Sequence, residues 1–191
     1  VADKMSKGVQ YLMKKNKIDV IMGFGKIVAK GKIEVSDKDG KNQTVEAKHI
    51  IIATGARSRE LPTMKIDGKK IIGYREAMVL PEIPKSMVIV GSGAIGVEFA
   101  YFYNSMGTKV TIVEFLPRIV PVEDEDISKE LEKSYKKNGI TIMTSSEVTA
   151  VDTSGNGVKA SVKSATGETV LEAGVLLSAV GVTANIEGIG L

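Results

Sequence analysis

The sequence predicts an α/β protein: a parallel sheet built on a β-α-β core, with a three-stranded β-meander added to it. Three observations predict it. An apolar run, Met87 to Val90, leads straight into Gly91-Ser92-Gly93-Ala94-Ile95-Gly96, and a helix-period segment separates it from a β-branched run, Val110 to Val113. Glu114 closes that second run, 23 residues beyond Gly91 (114 − 91). Further on, apolar segments joined by Ser154-Gly155-Asn156-Gly157 and Thr166-Gly167 read as antiparallel strands with tight turns.

In chain order, residues 2 to 16 read as a helix with Met5, Val9, Leu12 and Met13 on one face. Short strands are expected next: Ile18 to Met22, then Lys26 to Val35 and Gln43 to Ala47 around the turn signal Asp37-Lys38-Asp39-Gly40, then His49 to Ala53 running into Thr54-Gly55. Arg57 to Pro84 carries Pro62, Pro81 and Pro84, which limit regular structure, so a connector with a short helix at Tyr74 to Val79 is expected. The β-α-β unit starts at Ser86, and its helix, Ile95 to Met106, should stop at Gly107. Pro121 to Asp126 opens a further helix with Ile127, Leu131 and Tyr135 as its core stripe. Acids crowd its first turn and Lys136 and Lys137 its last, so helix capping explains the acids better than metal binding does. Ile140 to Met143 reads as a parallel strand. Val148 to Val151, Val158 to Lys163 and Thr169 to Glu172 read as the meander, and Val175 to Val180 as a last buried strand ending at Gly181.

The beginning and end of the chain resemble each other. Lys14-Lys15-Asn16-Lys17-Ile18 answers Lys136-Lys137-Asn138-Gly139-Ile140 at an offset of 122 (136 − 14), and Ile50 to Gly55 answers Val175 to Gly181, the closing glycines being 126 apart (181 − 55). A repeat of a whole supersecondary unit means two domains of one fold. The second copy has its glycine-rich start at Ser86, whereas the first begins inside what should be its second helix. The expectation is a fragment with one complete dinucleotide domain and the trailing half of another.

Composition narrows the function classes. With 191 residues and 43% hydrophobic content the chain can bury a core, and 26 Lys+Arg against 23 Asp+Glu leave a net charge of +3. No basic run is interleaved with aromatics, so nucleic acid is not an implied partner. No apolar run approaches the roughly 20 residues of a membrane span, and the N-terminus lacks a signal-peptide pattern, so a soluble, cytoplasmic protein is expected. The absence of cysteine excludes disulfides, thiolate catalysis and cysteine-ligated metals within the chain. His49, the only histidine, cannot build a catalytic triad or a histidine-rich metal site.

The glycine pattern has a mechanical reading. Gly91 would make the tight turn off the strand, Gly93 would let a pyrophosphate approach the backbone, and Gly96 would let helix and sheet pack closely. The phosphates would meet unpaired N–H groups at the helix N-terminus, where the dipole favours negative charge. Glu114 would accept hydrogen bonds from the adenosine ribose, and its carboxylate would repel a 2′-phosphate. The expectation is a Rossmann-like domain that binds NAD rather than NADP.

These features together resemble the two-dinucleotide-domain flavoprotein disulfide reductases, and among them most closely the dihydrolipoamide dehydrogenases. Ala53-Thr54-Gly55-Ala56 looks like the family's ATG motif beside the flavin, GSGAIGVE (91–98) like its NAD fingerprint, Glu114 to Pro121 like the segment after the ribose-binding acid, and Ala179-Val180-Gly181 like the return to the FAD domain. Val182-Thr183-Ala184-Asn185 departs from the arginine and proline common there. The resemblance implies residues 1–56 as the C-terminal part of an FAD-binding domain (helix and β-meander), 57–181 as the NAD(H)-binding domain and 182–191 as a return segment. It implies that Gly91, Ser92, Gly93, Ala94, Ile95, Gly96, Val97 and Glu98 surround NAD, with Glu114 at the ribose, Val148 at the adenine side and Gly181 at the nicotinamide side. Gly25, Thr54, Gly55 and Ala56 would touch FAD.

The whole protein is then expected to oxidise dihydrolipoyl groups and pass hydride through flavin to NAD+, as a homodimer working with 2-oxo acid dehydrogenase complex components. Lacking the redox disulfide and the catalytic histidine, this chain alone should not turn over. A mercuric reductase, transhydrogenase or NADH oxidase of the same architecture, and a free-standing NAD-binding module, are the alternatives. Residues 1 to 56 should also leave apolar faces uncovered and promote self-association.

Overall fold

A computed structural model describes all 191 residues as two units, Val1–Gly55 with Ala184–Leu191, and Ala56–Thr183. No helix is long and apolar enough to cross a membrane.

In the first unit, helix α1 (Ala2–Lys15) forms over the segment whose apolar residues recur at helical spacing, with Lys14 and Lys15 at its negative end. None of its residues is buried. Met5 is 67% exposed and Val9 54%. Strands β1 (Phe24–Ala29), β2 (Lys32–Ser36) and β3 (Asn42–Glu46) make an antiparallel sheet in that order. The segment read as one strand from Lys26 to Val35 folds back at Lys30-Gly31, where Gly31 takes φ +74°, a conformation that favours glycine. The turn at Asp37 closes as expected, its Oδ1 accepting from the N–H groups of Asp39 and Lys41 at 2.9 Å each.

Two expected strands of this unit do not form. Ile18 to Met22 and His49 to Ala53 are irregular and open to solvent, with Met22 81% and Ile51 91% exposed. An all-apolar strand is stable when its N–H and C=O groups are paired on both sides and its faces are covered. No strand of this unit pairs with either segment.

The second unit contains β4 (Ala56–Ser58), β5 (Ile71–Ile72), α2 (Tyr74–Ala77), β6 (Ser86–Val90), α3 (Ala94–Ser105), β7 (Lys109–Val113), α4 (Glu125–Lys137), β8 (Thr141–Met143), β9 (Ser146–Asp152), β10 (Val158–Ser164), β11 (Gly167–Ala173) and β12 (Val175–Ser178); β13 (Val182–Ala184) follows. Strands β5-β12-β6-β7-β8 form a parallel sheet, and β11-β10-β9 the antiparallel meander. The expected α/β class is therefore observed.

Period-two alternation builds two cores from one sheet. Met87, Ile89, Ile112 and Leu177 face α3 and α4, packing with Val97, Ala100, Tyr103 and Tyr135. Val88, Val90, Val113 and Leu176 face the meander, against Val148, Val158, Ala160 and Val162. The Tyr135 hydroxyl donates to the Val97 carbonyl at 2.8 Å, tying α4 to α3.

The inward stripe of α4 differs from expectation by one residue. Ile127 is 60% exposed while Ser128 is 1% exposed: the two flank the face on which Leu131 and Tyr135 pack, and 128 lies about 20° from Tyr135 around the helix axis whereas 127 lies about 80° from it. Nor is the connector loose. Asp67 Oδ1 accepts from the N–H groups of Lys69, Lys70 and Ile71 at 2.7, 2.8 and 3.0 Å. The Lys70 ammonium donates to the carbonyls of Thr153 and Gly155, and Met64 is buried.

Candidate functional site

The carboxyl ends of β6, β7 and β12 open into a crevice of about 830 Å³. In open parallel sheets this end of the strands is where ligands bind, because the loops diverge there and helix N-termini point in. Each glycine of the turn after β6 answers a separate steric demand. Gly91 has φ +98°, and a Cβ there would lie 2.5 Å from the Ala179 carbonyl oxygen. At Gly96 a Cβ would sit 2.1 Å from the Gly91 carbonyl oxygen, so α3 packs this close to the turn only without a side chain. Gly93 has nothing within 4 Å of the Cβ position and lines the crevice, so its bareness leaves room rather than relieving a clash.

Helix α3 begins at Gly93 with no side-chain cap and no acid in its first turn. Its first N–H groups have no partner within the helix, and the dipole makes that end positive. Helix α4 is the opposite case. Asp124 caps it by accepting from the Asp126 N–H at 2.9 Å, with Glu125 and Asp126 in the first turn. One N-terminus carries its own cap and acids; the other carries neither.

Glu114 stands at the end of β7, 6% exposed. Its backbone is fixed on both sides, its N–H donating to the Met143 carbonyl at 2.8 Å and its C=O accepting from the Ser146 N–H at 2.9 Å. The side chain reaches across to the glycine turn. Oε2 accepts from the Ser92 N–H at 2.7 Å and from the Ser92 hydroxyl at 2.6 Å, and Oε1 accepts from the Leu116 N–H at 2.8 Å.

Of the residues expected around a nucleotide, Gly91, Ser92, Gly93, Ala94, Ile95, Glu114, Val148 and Gly181 line the crevice. Gly96, Val97 and Glu98 do not. Gly96 and Val97 are buried, Val97 in the core beneath α3, and Glu98 is exposed. Gly25, Thr54 and Gly55 belong to the first unit. Ala56 opens β4, and its carbonyl accepts from the Tyr74 hydroxyl at 3.0 Å.

Sequence reasoning missed the wall formed by Leu61, Pro62 and Thr63, together with Phe115, Leu116 and Ser146. A connector without periodicity gives no signal for such a wall. The adjacency of Phe115 and Leu116 to Glu114 could have drawn attention to those two. The assembled cleft offers apolar walls, a positive helix end and one clamped carboxylate, an arrangement suited to a ligand that carries an anion and a hydroxyl-bearing group together.

The model of the family described as pyridine nucleotide-disulphide oxidoreductase matches residues 1–191. The chain is 46% identical to a dihydrolipoyl dehydrogenase of Chlorobaculum tepidum over 100% of its own length and 41% of that protein's. It is 41% identical to a leghemoglobin reductase of Vigna unguiculata, with 98% and 36% covered. Among solved structures it superposes on LpdA from Mycobacterium tuberculosis with a TM-score of 0.87 and 28% identity, covering 99% of this chain and 42% of that one. The chain thus spans about two fifths of the length of the curated relatives it matches. A match from the first residue to the last, joined to this likeness in sequence and fold, makes the chain a member of the pyridine nucleotide-disulphide oxidoreductase family.

Proposed function

We propose that Ala56–Thr183 binds NAD(H), and that the chain is part of an FAD-dependent dihydrolipoamide dehydrogenase. The observation that carries the nucleotide reading is the coincidence, in one crevice, of an uncapped helix N-terminus at Gly93 and a carboxylate at Glu114. In this reading the N–H groups at the start of α3 hold the pyrophosphate, the bare Cα of Gly93 lets it approach, and Glu114 accepts from the adenosine ribose. Val148 lies against the adenine side and Gly181 at the nicotinamide side. When bound, the nicotinamide ring supplies a hydride acceptor; the protein's part is to orient that ring and exclude water from it. The crevice has room for the group at the turn, since nothing lies within 4 Å of the Cβ position at Gly93.

Gly25, Thr54, Gly55 and Ala56 would contact FAD in the whole protein. The chain contains no cysteine, so thiol chemistry on a dihydrolipoyl substrate would fall to another part of that protein, and this chain alone would be inactive. The dihydrolipoyl dehydrogenase relatives support a homodimer serving a 2-oxo acid dehydrogenase complex. The relevant experiment titrates NADH and NADPH into the 191-residue chain and into its Glu114→Ala variant. NADH should bind more tightly to the wild type, and the variant should lose about tenfold or more in NADH affinity, because a hydrogen bond to a charged group is worth about 1.5–3 kcal/mol. Equal NADH affinity in both proteins would remove Glu114 from the site.

A further inference from the structure

Ser92 has a feature that the turn geometry does not require. Its side chain is fully buried, and its hydroxyl and N–H both donate to one oxygen of Glu114, at 2.6 and 2.7 Å. Its own carbonyl accepts from the Val120 N–H at 2.9 Å, so its backbone is pinned to the loop that follows β7. A carboxylate offers about four acceptor positions on two oxygens. Ser92 fills two on Oε2, and the Leu116 N–H fills one on Oε1. One position remains, on Oε1, and Glu114 lines the crevice.

We propose that Ser92 is a specificity-determining positioning residue: it clamps Glu114 so that the carboxylate presents a single fixed oxygen to a ribose hydroxyl and cannot swing aside for a phosphate. The proposal rests on the NAD(H) reading given above. An unclamped glutamate side chain has three rotatable bonds and could turn its charge away from an entering 2′-phosphate. The clamp closes that escape, since rotating Glu114 would leave a buried N–H and a buried hydroxyl without acceptors. Discrimination between the two nucleotides is therefore built from the pair, with Ser92 supplying the rigidity and Glu114 the charge. No part of Ser92 need touch the ligand.

The test is a double-mutant cycle read by fluorescence titration with NADH and NADPH on wild type, Ser92→Ala, Glu114→Ala and the double variant. Ser92→Ala is expected to narrow the NADH-over-NADPH preference by about tenfold, the scale of one hydrogen bond to a charged group. The double variant should show no further change beyond Glu114→Ala, since Ser92 acts only through the carboxylate. Ser92→Gly, which removes the same hydroxyl and adds no atoms, should behave alike and replaces Ser92→Ala should that variant not fold. If the Ser92 variants keep the wild-type preference while Glu114→Ala loses it, this inference fails and the NAD(H) reading stands. A Ser92 effect of equal size in the Glu114→Ala background likewise overturns it, because the residue would then act through the turn. An unchanged preference in Glu114→Ala also overturns this inference, because the carboxylate would then not discriminate; absence of binding by the wild type overturns both it and the NAD(H) reading.

Discussion

The two three-stranded antiparallel sheets start from similar sequence patterns and end in opposite conditions. In the second unit, β9–β11 lie over the parallel sheet, and Val148, Val158, Ala160 and Val162 are buried between the two. In the first unit, β1–β3 bury Val35 alone among their residues. The helices that lead into the two repeated segments show the same contrast, with Tyr135 buried on α4 and nothing buried on α1. Alternation and glycine turns specify a sheet and its register. Burial is a property of the second layer, which the strand's own residues do not encode.

Core truncation gives this comparison its hardest test. Leu177 is 0% exposed, and Leu177→Ala should destabilise the second unit by about 2–5 kcal/mol in denaturant unfolding, the cost of lost burial plus a cavity. Leu12 on α1 is 49% exposed, and Leu12→Ala should change stability by less than about 0.5 kcal/mol. A concentration-dependent loss at Leu12 comparable to that at Leu177 would break the contrast, because it would mean that a second copy covers α1 in solution.

A smaller effect sharpens the comparison through its sign. Gly96→Ala forces a Cβ against the Gly91 carbonyl oxygen and should cost about 1–3 kcal/mol by overpacking. Gly8 lies inside α1 with nothing within 4 Å of its Cβ position, so Gly8→Ala should stabilise that helix by about 0.5–1 kcal/mol. Thermal unfolding of the two variants should move in opposite directions; a shared direction would show that α1 is packed.

The smallest effect is a pH dependence. Burial works to raise the Asp67 carboxyl, but hydrogen bonds from the N–H groups of Lys69, Lys70 and Ile71 outweigh it and hold the group below its ordinary value. A depressed carboxyl contributes stability above the unfolded-state value and loses it as pH falls through the folded one. The stability of the second unit should therefore fall on acidification below about pH 4, the ordinary aspartate range, and Asp67→Asn should flatten that limb. An unchanged acid limb in the variant would assign the effect to other carboxylates.

Sequence legibility followed locality. The glycine turn, the helix behind it and Glu114 could be read because their demands act within about 23 residues (114 − 91) of one another. On α4 the sequence points to Ile127 because hydrophobicity marks an inner face, whereas the buried position is Ser128. The strands expected at Ile18 to Met22 and His49 to Ala53 carry apolar patterns without pairing partners in their unit. Nor could Leu61-Pro62-Thr63 be assigned to a crevice wall, since only the fold brings it to the crevice that Glu114 and Val148 also line. The Ser92–Glu114 clamp was hidden for the same reason: it spans two strand ends whose register appears only in three dimensions.

Loop tips of small polar residues are ordinarily the first place a protease cuts, and Ser154-Gly155-Asn156-Gly157 has that composition. Lys70 guards the tip by grasping the carbonyls of Thr153 and Gly155. Its own peptide bond is one that trypsin recognises, yet a lysine committed to those carbonyls cannot enter trypsin's specificity pocket until the tip lets go. The two hydrogen bonds therefore couple release of the tip to release of the Lys70 side chain.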